Sequence, residues 1–317
     1  MSKARPASRR SAKPETGEHG FLETNGVRLH YVTQGTGPLM LFLHGFPDFW
    51  YGWRHQLPEF AKDHKVVAID MRGYNDSEKP AAKGAYAIDQ LVGDVAGVIE
   101  QLGGGRAILV GHDWGGAVAW ATANERPELI DRLVIMNIPH PAIMLKAIAR
   151  PPQLFKSWYM FAFQLPLLPE LLLTANNAAL TAAILKGALV TKTAISDADL
   201  DQYRRAMTKP GAATAQINYY RNILGTPRGR GFQKLKMPTL LVWGEEDIVL
   251  GRELTEGTDR WVEDLTLKFV PNCGHFVQQE CPAEVNAIVR DFLARPTEKK
   301  RSAPAGKRSS RSRRKPG

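Results

Sequence analysis

Apolar residues along the chain fall into short unbroken runs separated by longer stretches of helical period. Residues 27–33, 39–43, 65–70, 107–110, 132–136, 239–243 and 267–270 are rich in β-branched and other apolar side chains. Several of these runs are continuously apolar, the pattern of strands buried on both faces of a parallel sheet. Between them, Ile88, Leu91, Val92, Val95, Ile99 and Leu102 recur at offsets 0, 3, 4, 7, 11 and 14, which places them on one face of a helix. Glycines 103–105 end that helix. A second helical pattern follows Trp114 and stops near Pro127, and residues 283–293 give a last helix closed by Pro296. Strands alternating with helices predict an α/β protein with a mostly parallel central sheet flanked by helices.

The alternation stops between about residues 138 and 236, where helical periodicity, aromatics and prolines replace strand patterns. This predicts a core in two parts, 20–137 and 237–294, interrupted by a helical insertion over 138–236. Ligands bind outside the carboxyl edge of strands in open α/β sheets, so an insertion between two strands is expected to cap a site there. The most apolar stretch, 160–173, is interrupted by Pro166 and Pro169 and carries Gln164 and Glu170. It falls short of the roughly 20 residues a membrane span needs, and no transmembrane segment is expected. No internal repeat is evident.

Composition adds little until charge is located. The 317 residues are 44% hydrophobic, 23% charged and 9% aromatic, which excludes a wholly disordered chain, a collagen and a disulfide-stapled mini-protein. The net charge of +10 would suggest a polyanion partner, but residues 1–19 hold five basic and two acidic side chains and residues 295–317 hold ten and one. That leaves −2 for residues 20–294. The excess belongs to two segments expected to be disordered basic tails, with a weak, salt-sensitive polyanion contact as the partner they suggest. The two cysteines, Cys273 and Cys281, are too few to staple such a domain and suggest a reducing compartment. Arg9-Arg10 is followed by no apolar signal region, and a cytoplasmic location is expected.

Candidate chemistry sits at the strand ends. Gly111-His112-Asp113-Trp114-Gly115-Gly116 lies directly after one apolar run and before a helical pattern. It has the form of a strand-turn-helix nucleophile elbow, with Asp where esterases carry Ser. Small flanking residues suit a strained turn. An Asp is ionised at neutral pH without a base to deprotonate it, so it can attack a saturated carbon and form an ester with the protein. His44-Gly45-Phe46-Pro47 ends another buried run, placing the Phe46 amide as one oxyanion-hole donor and the Trp114 amide as the other. Further on, Glu245, Glu246 and Asp247 follow one late strand and Cys273-Gly274-His275 follows the last, giving the order nucleophile, acid, histidine. We take Asp247 as the orienting acid, with Glu245 and Glu246 competing on spacing. After Met136 the chain carries Asn137, where an acid could otherwise stand. His275 is the base that activates water, while His44 and His112 read as packing and hydrogen-bonding residues.

Taken together, His44 to Arg54, the run Asp70-Met71-Arg72-Gly73-Tyr74-Asn75-Asp76-Ser77, the elbow and Cys273-Gly274-His275 resemble the soluble epoxide hydrolase group of the α/β-hydrolases over about residues 20–294. The resemblance implies the α/β-hydrolase fold with an inserted helical cap. It also implies a pair of cap tyrosines that bind and activate an epoxide: Tyr159, which precedes Phe163-Gln164 at the family's spacing, and Tyr220, in Asn218-Tyr219-Tyr220-Arg221. Asn75 departs from the glycine common at its position, which Asn tolerates because it adopts the left-handed conformation. The implied reaction uses Asp113 to open an epoxide and water to release a vicinal diol, without metal or organic cofactor. The apolar segment 165–173 fits a hydrophobic epoxide, and equally cap core or a contact between copies; the oligomeric state is left open. A haloalkane or haloacid dehalogenase could use the same Asp nucleophile, with the Trp114 indole holding halide, although an Asn at the Phe46 position or an Arg at the Trp114 position would then be expected. A non-catalytic polyanion-binding protein, acting through its tails, would not need the nucleophile, acid, base and tyrosine set.

Overall fold

A computed structural model describes residues 17–148, 150–151, 153–223 and 231–296. The expected basic tails therefore lie almost wholly outside the described residues. Eight strands form one sheet among them: β1 (Glu18–Thr24), β2 (Val27–Gln34), β3 (Leu39–Leu43), β4 (Lys65–Ile69), β5 (Ala107–His112), β6 (Ile130–Met136), β7 (Thr239–Gly244) and β8 (Leu265–Val270). Their spatial order is β1-β2-β4-β3-β5-β6-β7-β8. β1 and β2 are antiparallel to their neighbours, and every pairing from β4 across to β8 is parallel.

The apolar runs alternate between two cores. Leu41, Leu43, Leu109, Leu133, Ile135, Leu241 and Trp243 pack on one face of the sheet, while Met40, Phe42, Val110, Val134, Met136, Leu240 and Val242 pack on the other. Each fully buried Leu, Val or Phe contributes roughly 1.5–3 kcal/mol, so both faces must be covered. Helices α1 (Leu57–Phe60), α2 (Ile88–Gly103) and α3 (Trp114–Glu125) cover the first part of the chain. The predicted apolar stripe of α2 is the buried one, and Gly104 closes that helix in the left-handed conformation at φ 65°.

Two expectations need correction at the ends. β1 is a strand that the hydropathy pattern does not predict, and it begins inside the segment expected as a tail. Along this edge strand only Leu22 and Thr24 are buried, so most of its side chains are free to be polar. At the other end, Arg295, expected to open the second tail, is held by Asp264 at 3.0 Å.

Between β6 and β7 the described chain is helical: α4 (Pro141–Ala147), α5 (Gln153–Lys156), α6 (Trp158–Ala162), α7 (Leu168–Gly187), α8 (Asp197–Met207) and α9 (Ala212–Ile223). A capping box of Ser196 and Asp199 starts α8. α7 is interrupted: Ala175 leaves the helical region, and Asn176, Asn177 and Ala178 follow with φ near +50°. Helices α10 (Val277–Glu280) and α11 (Pro282–Ala294) complete the chain.

Candidate active site

Parallel register brings the ends of β3, β5, β7 and β8 to one edge of the sheet. Leu43 pairs with Gly111, His112 with Met136 and Gly244 with Val270. The loops after these strands carry Phe46, Asp113, Asp247 and His275, which therefore converge although up to 229 positions separate them.

Asp113 sits at the turn from β5 to α3 with φ 49° and ψ −123°, a strained position for a residue with a Cβ. Small neighbours make it possible. A Cβ on Gly45 would stand 2.4 Å from Asp113 Oδ1, and one on Gly115 would stand 2.2 Å from the Leu43 carbonyl. The Phe46 amide donates to Asp113 Oδ1 at 2.8 Å, and Oδ2 faces His275 Nε2 at 3.6 Å. Trp114, the other expected amide donor, opens α3 directly after the nucleophile, where a helix leaves its first amides unused.

On the far side of its ring, His275 Nδ1 donates to Asp247 Oδ2 at 2.8 Å. The same carboxylate accepts Asn137 Nδ2 at 2.7 Å, and its Oδ1 accepts the amides of Val249 and Leu250 at 2.8 and 3.0 Å. The competing acids point elsewhere: Glu245 pairs with Arg252 at 3.0 Å and Glu246 is exposed. Burial by itself would depress the His275 imidazole, but the flanking Asp247 and Asp113 carboxylates overcome it and push the group up to about 10. For Asp113, burial opposes ionisation, and hydrogen bonding and charge from His275 reverse that and hold it below the usual carboxylate range. His44 and His112 are neutral supports, each lowered to about 4 by burial. His44 donates to the Gly45 carbonyl at 2.9 Å, and His112 donates to the His275 carbonyl at 2.8 Å.

In the sequence Asn137 marks only the absence of an acid. It takes a part in the site instead, since it also accepts the Gly244 amide at 3.2 Å and so joins the ends of β6 and β7 around Asp247. Its place at a strand end was the available signal. The turn after β4 is a similar support. Asp70 accepts Trp50 N at 3.0 Å, Asn75 Nδ2 at 2.8 Å and His30 Nδ1 at 2.6 Å, and Asn75 has φ 36°, the left-handed conformation expected of it. His30, Asp70 and Asp76 bring metal-type ligand atoms within 4.8 Å, but hydrogen bonds within the turn and a pairing of Asp76 with Lys209 account for these groups.

The cap supplies the opposite wall. Tyr159 and Tyr220 stand 5.8 Å apart between ring centres. They line one cavity of about 300 Å³ with Asp113, His275, Phe46 and a set of leucines that includes Leu165 and Leu172. Tyr220 meets the edges of Phe46 and Trp114 at 5.5 and 5.1 Å. Burial raises both phenols, reinforced by the Asp113 charge; for Tyr220 a hydrogen bond with Trp114 acts the other way. Both hydroxyls are therefore protonated at neutral pH. The residues that mark the tyrosines in the sequence have physical work. Gln164 donates to the carbonyls of Met160 and Tyr220, both at 3.1 Å. Arg221 donates to the carbonyls of Phe163 and Leu165 and pairs with Glu170 at 2.7 Å. Of the aromatics near Tyr159, Phe163 is buried whereas Trp158 and Phe161 are exposed.

Comparison with known proteins identifies the family of the fold. Residues 38–282 match the family model described as the alpha/beta hydrolase fold. Over 280 residues the chain is 41% identical to epoxide hydrolase 1 of Caenorhabditis elegans, covering 86% of this chain and 69% of that one. It is 38% identical over 298 residues to epoxide hydrolase 4 of Mus musculus, covering 90% and 82%. Among solved structures, the Bacillus megaterium epoxide hydrolase in complex with an inhibitor superposes with a TM-score of 0.79 at 33% identity, over 87% of this chain and all of that one.

Proposed function

The chain belongs to the α/β-hydrolase fold family, among its epoxide hydrolase-like members, and from that premise we propose that it hydrolyses apolar epoxides to vicinal diols through an ester on Asp113. One observation carries the site assignment: a carboxylate with one oxygen on a backbone amide and the other towards a histidine, across a cavity from two protonated phenols.

Because Oδ1 is held by the Phe46 amide, Oδ2 is the oxygen free to attack. It bonds to an epoxide carbon, the carbon–oxygen bond of the ring breaks, and the departing oxygen takes a proton from the tyrosine pair. Forming the ester cancels one of the two carboxylate charges that raise His275, so the imidazolium becomes acidic enough to return a proton to the phenolate. Neutral His275, oriented by Asp247, then takes a proton from water as the water oxygen bonds to Cγ of the ester. The tetrahedral oxyanion forms at Oδ1, where the Phe46 and Trp114 amides act as donors. As the Cγ–Oδ2 bond breaks, Oδ2 leaves with the substrate and takes the proton that remains on the water-derived hydroxyl of Cγ; this releases the diol, leaves a carboxylate on Asp113 and keeps the His275 imidazolium, so the protons balance. The leucine-rich lining selects an apolar substrate.

Diol formation from styrene-type and aliphatic epoxides, measured beside halide release from haloalkanes of matched size, tests the reading. Diol with little halide is expected. Halide without diol would assign the same nucleophile to dehalogenation.

A further inference from the structure

Ten large apolar side chains between residues 145 and 180 stand exposed, a concentration of a kind that marks an interaction surface. Phe155, Trp158, Leu167 and Leu171 are 70, 67, 73 and 65% exposed. On α7, Leu168, Leu171 and Leu172 lie three and four positions apart and share a face. Trp158, Leu168 and Leu172 also line the cavity over Asp113, so the patch reaches the rim of the site. Beside these residues in the chain stand exposed Lys146 and Arg150 and half-buried Lys156. The one acid between residues 141 and 192 is Glu170, which Arg221 neutralises.

We propose that this face of the cap lies flat on a lipid surface containing anionic phospholipid, with its leucines and aromatics in the boundary between headgroups and acyl chains. The cavity entrance then opens on the phase in which apolar compounds collect; this last point rests on the epoxide hydrolase reading, whereas the docking itself does not. Charge favours lipid over a second copy of the chain, because two such faces in symmetric contact would bring Lys146, Arg150 and Lys156 against their own copies, with Glu170 already paired to Arg221, and would close both entrances. Lying flat is the geometry available to α7. By length and composition it resembles a membrane span. Its left-handed break at Asn176, Asn177 and Ala178 leaves segments of roughly 10 and 13 Å at 1.5 Å per residue, against a hydrocarbon core of about 30 Å. An apolar face with cationic flanks is the pattern of an interfacial element.

The test is flotation of the full chain with vesicles of phosphatidylcholine alone, or of equal parts phosphatidylcholine and phosphatidylglycerol, beside the triple variant Phe161→Ser/Leu167→Ser/Leu171→Ser. None of these three residues lines the cavity, so turnover of a water-soluble epoxide checks folding and should be unchanged. The parent chain should float with the mixed vesicles and the variant should lose at least roughly a hundredfold in partitioning. A chain lacking residues 297–317 should still float. Binding that vanishes with that deletion and ignores the triple substitution would overturn the proposal. So would a triple variant that turns a dimer into a monomer while floating as before. If no epoxide is hydrolysed but flotation behaves as described, the docking stands and the proposed reaction fails; an apolar epoxide loaded in vesicles should otherwise lose turnover in the variant while a soluble one does not.

Discussion

The core wall of the site and the cap wall hold their residues by different means. Asp113, Asp247 and His275 stand at ends of strands in one sheet, and their carboxylates are tied to backbone amides of Phe46, Val249 and Leu250. Tyr159 and Tyr220 lie on two helices that meet through aromatic edges, the Gln164 side chain and the bonds of Arg221 to the Phe163 and Leu165 carbonyls. Sheet register can set distances between reacting groups closely, which nucleophile and base require. A wall joined by side chains can tolerate substrates of different shape while still aiming two hydroxyls at one oxygen. The difference teaches that damage to the core wall should abolish a step, whereas damage to the cap wall should slow one.

The largest effect that would sharpen this contrast is expected from Asp113→Ala, with steady-state diol formation falling by roughly 10⁴-fold or more. A variant retaining substantial turnover would break the comparison at its centre. Next, Tyr159→Phe and Tyr220→Phe should each slow ester formation by about 10²-fold, the lower range for general acid catalysis. Single-turnover kinetics should show hydrolysis of the preformed ester unchanged, and an equal loss in both steps would contradict a purely activating role. Asn137→Leu removes one donor from a buried carboxylate, and a hydrogen bond to a charged group is worth about 1.5 kcal/mol or more. Ester hydrolysis should therefore slow by about tenfold, while ester formation changes less. The last effect is on stability and not on rate, and it concerns pH. With His275 raised from 6.5 to about 10 in the folded chain, the native state holds a proton that the unfolded state has released. That stabilisation is complete below pH 6.5 and is lost as pH rises through about 10. Denaturant titrations across this window should show stability falling with pH, and His275→Gln should flatten the slope.

How much was legible in the sequence follows the same division. β3, β5, β6 and β7 read correctly because a strand buried on both faces must be apolar at every position. The elbow read correctly because its glycines answer to local collisions. β1 did not, since Glu18, His19, Phe21 and Glu23 are all exposed along an edge strand and only Leu22 and Thr24 are buried. The tyrosines carried no local signature that separates them from other helical aromatics such as Trp158 and Phe161; resemblance alone singled them out. The contacts that join them, from Gln164 and Arg221, depend on how helices meet. The Asn176-Asn177 pair hinted at left-handed backbone, but Ala178 beside it has no such local reason. Asn137 was visible as a residue at a strand end, yet its contact with Asp247 spans 110 positions and required the sheet.

The most direct measurement is the intact mass of His275→Gln during exposure to an epoxide that the unaltered chain hydrolyses. Asp113 and both tyrosines remain in this variant, so the ester should form, while the base that releases it is gone. The account predicts accumulation of protein heavier by the mass of one epoxide, with the added mass on the peptide containing Asp113. Rapid diol turnover by this variant, or an added mass on any other residue, would contradict it.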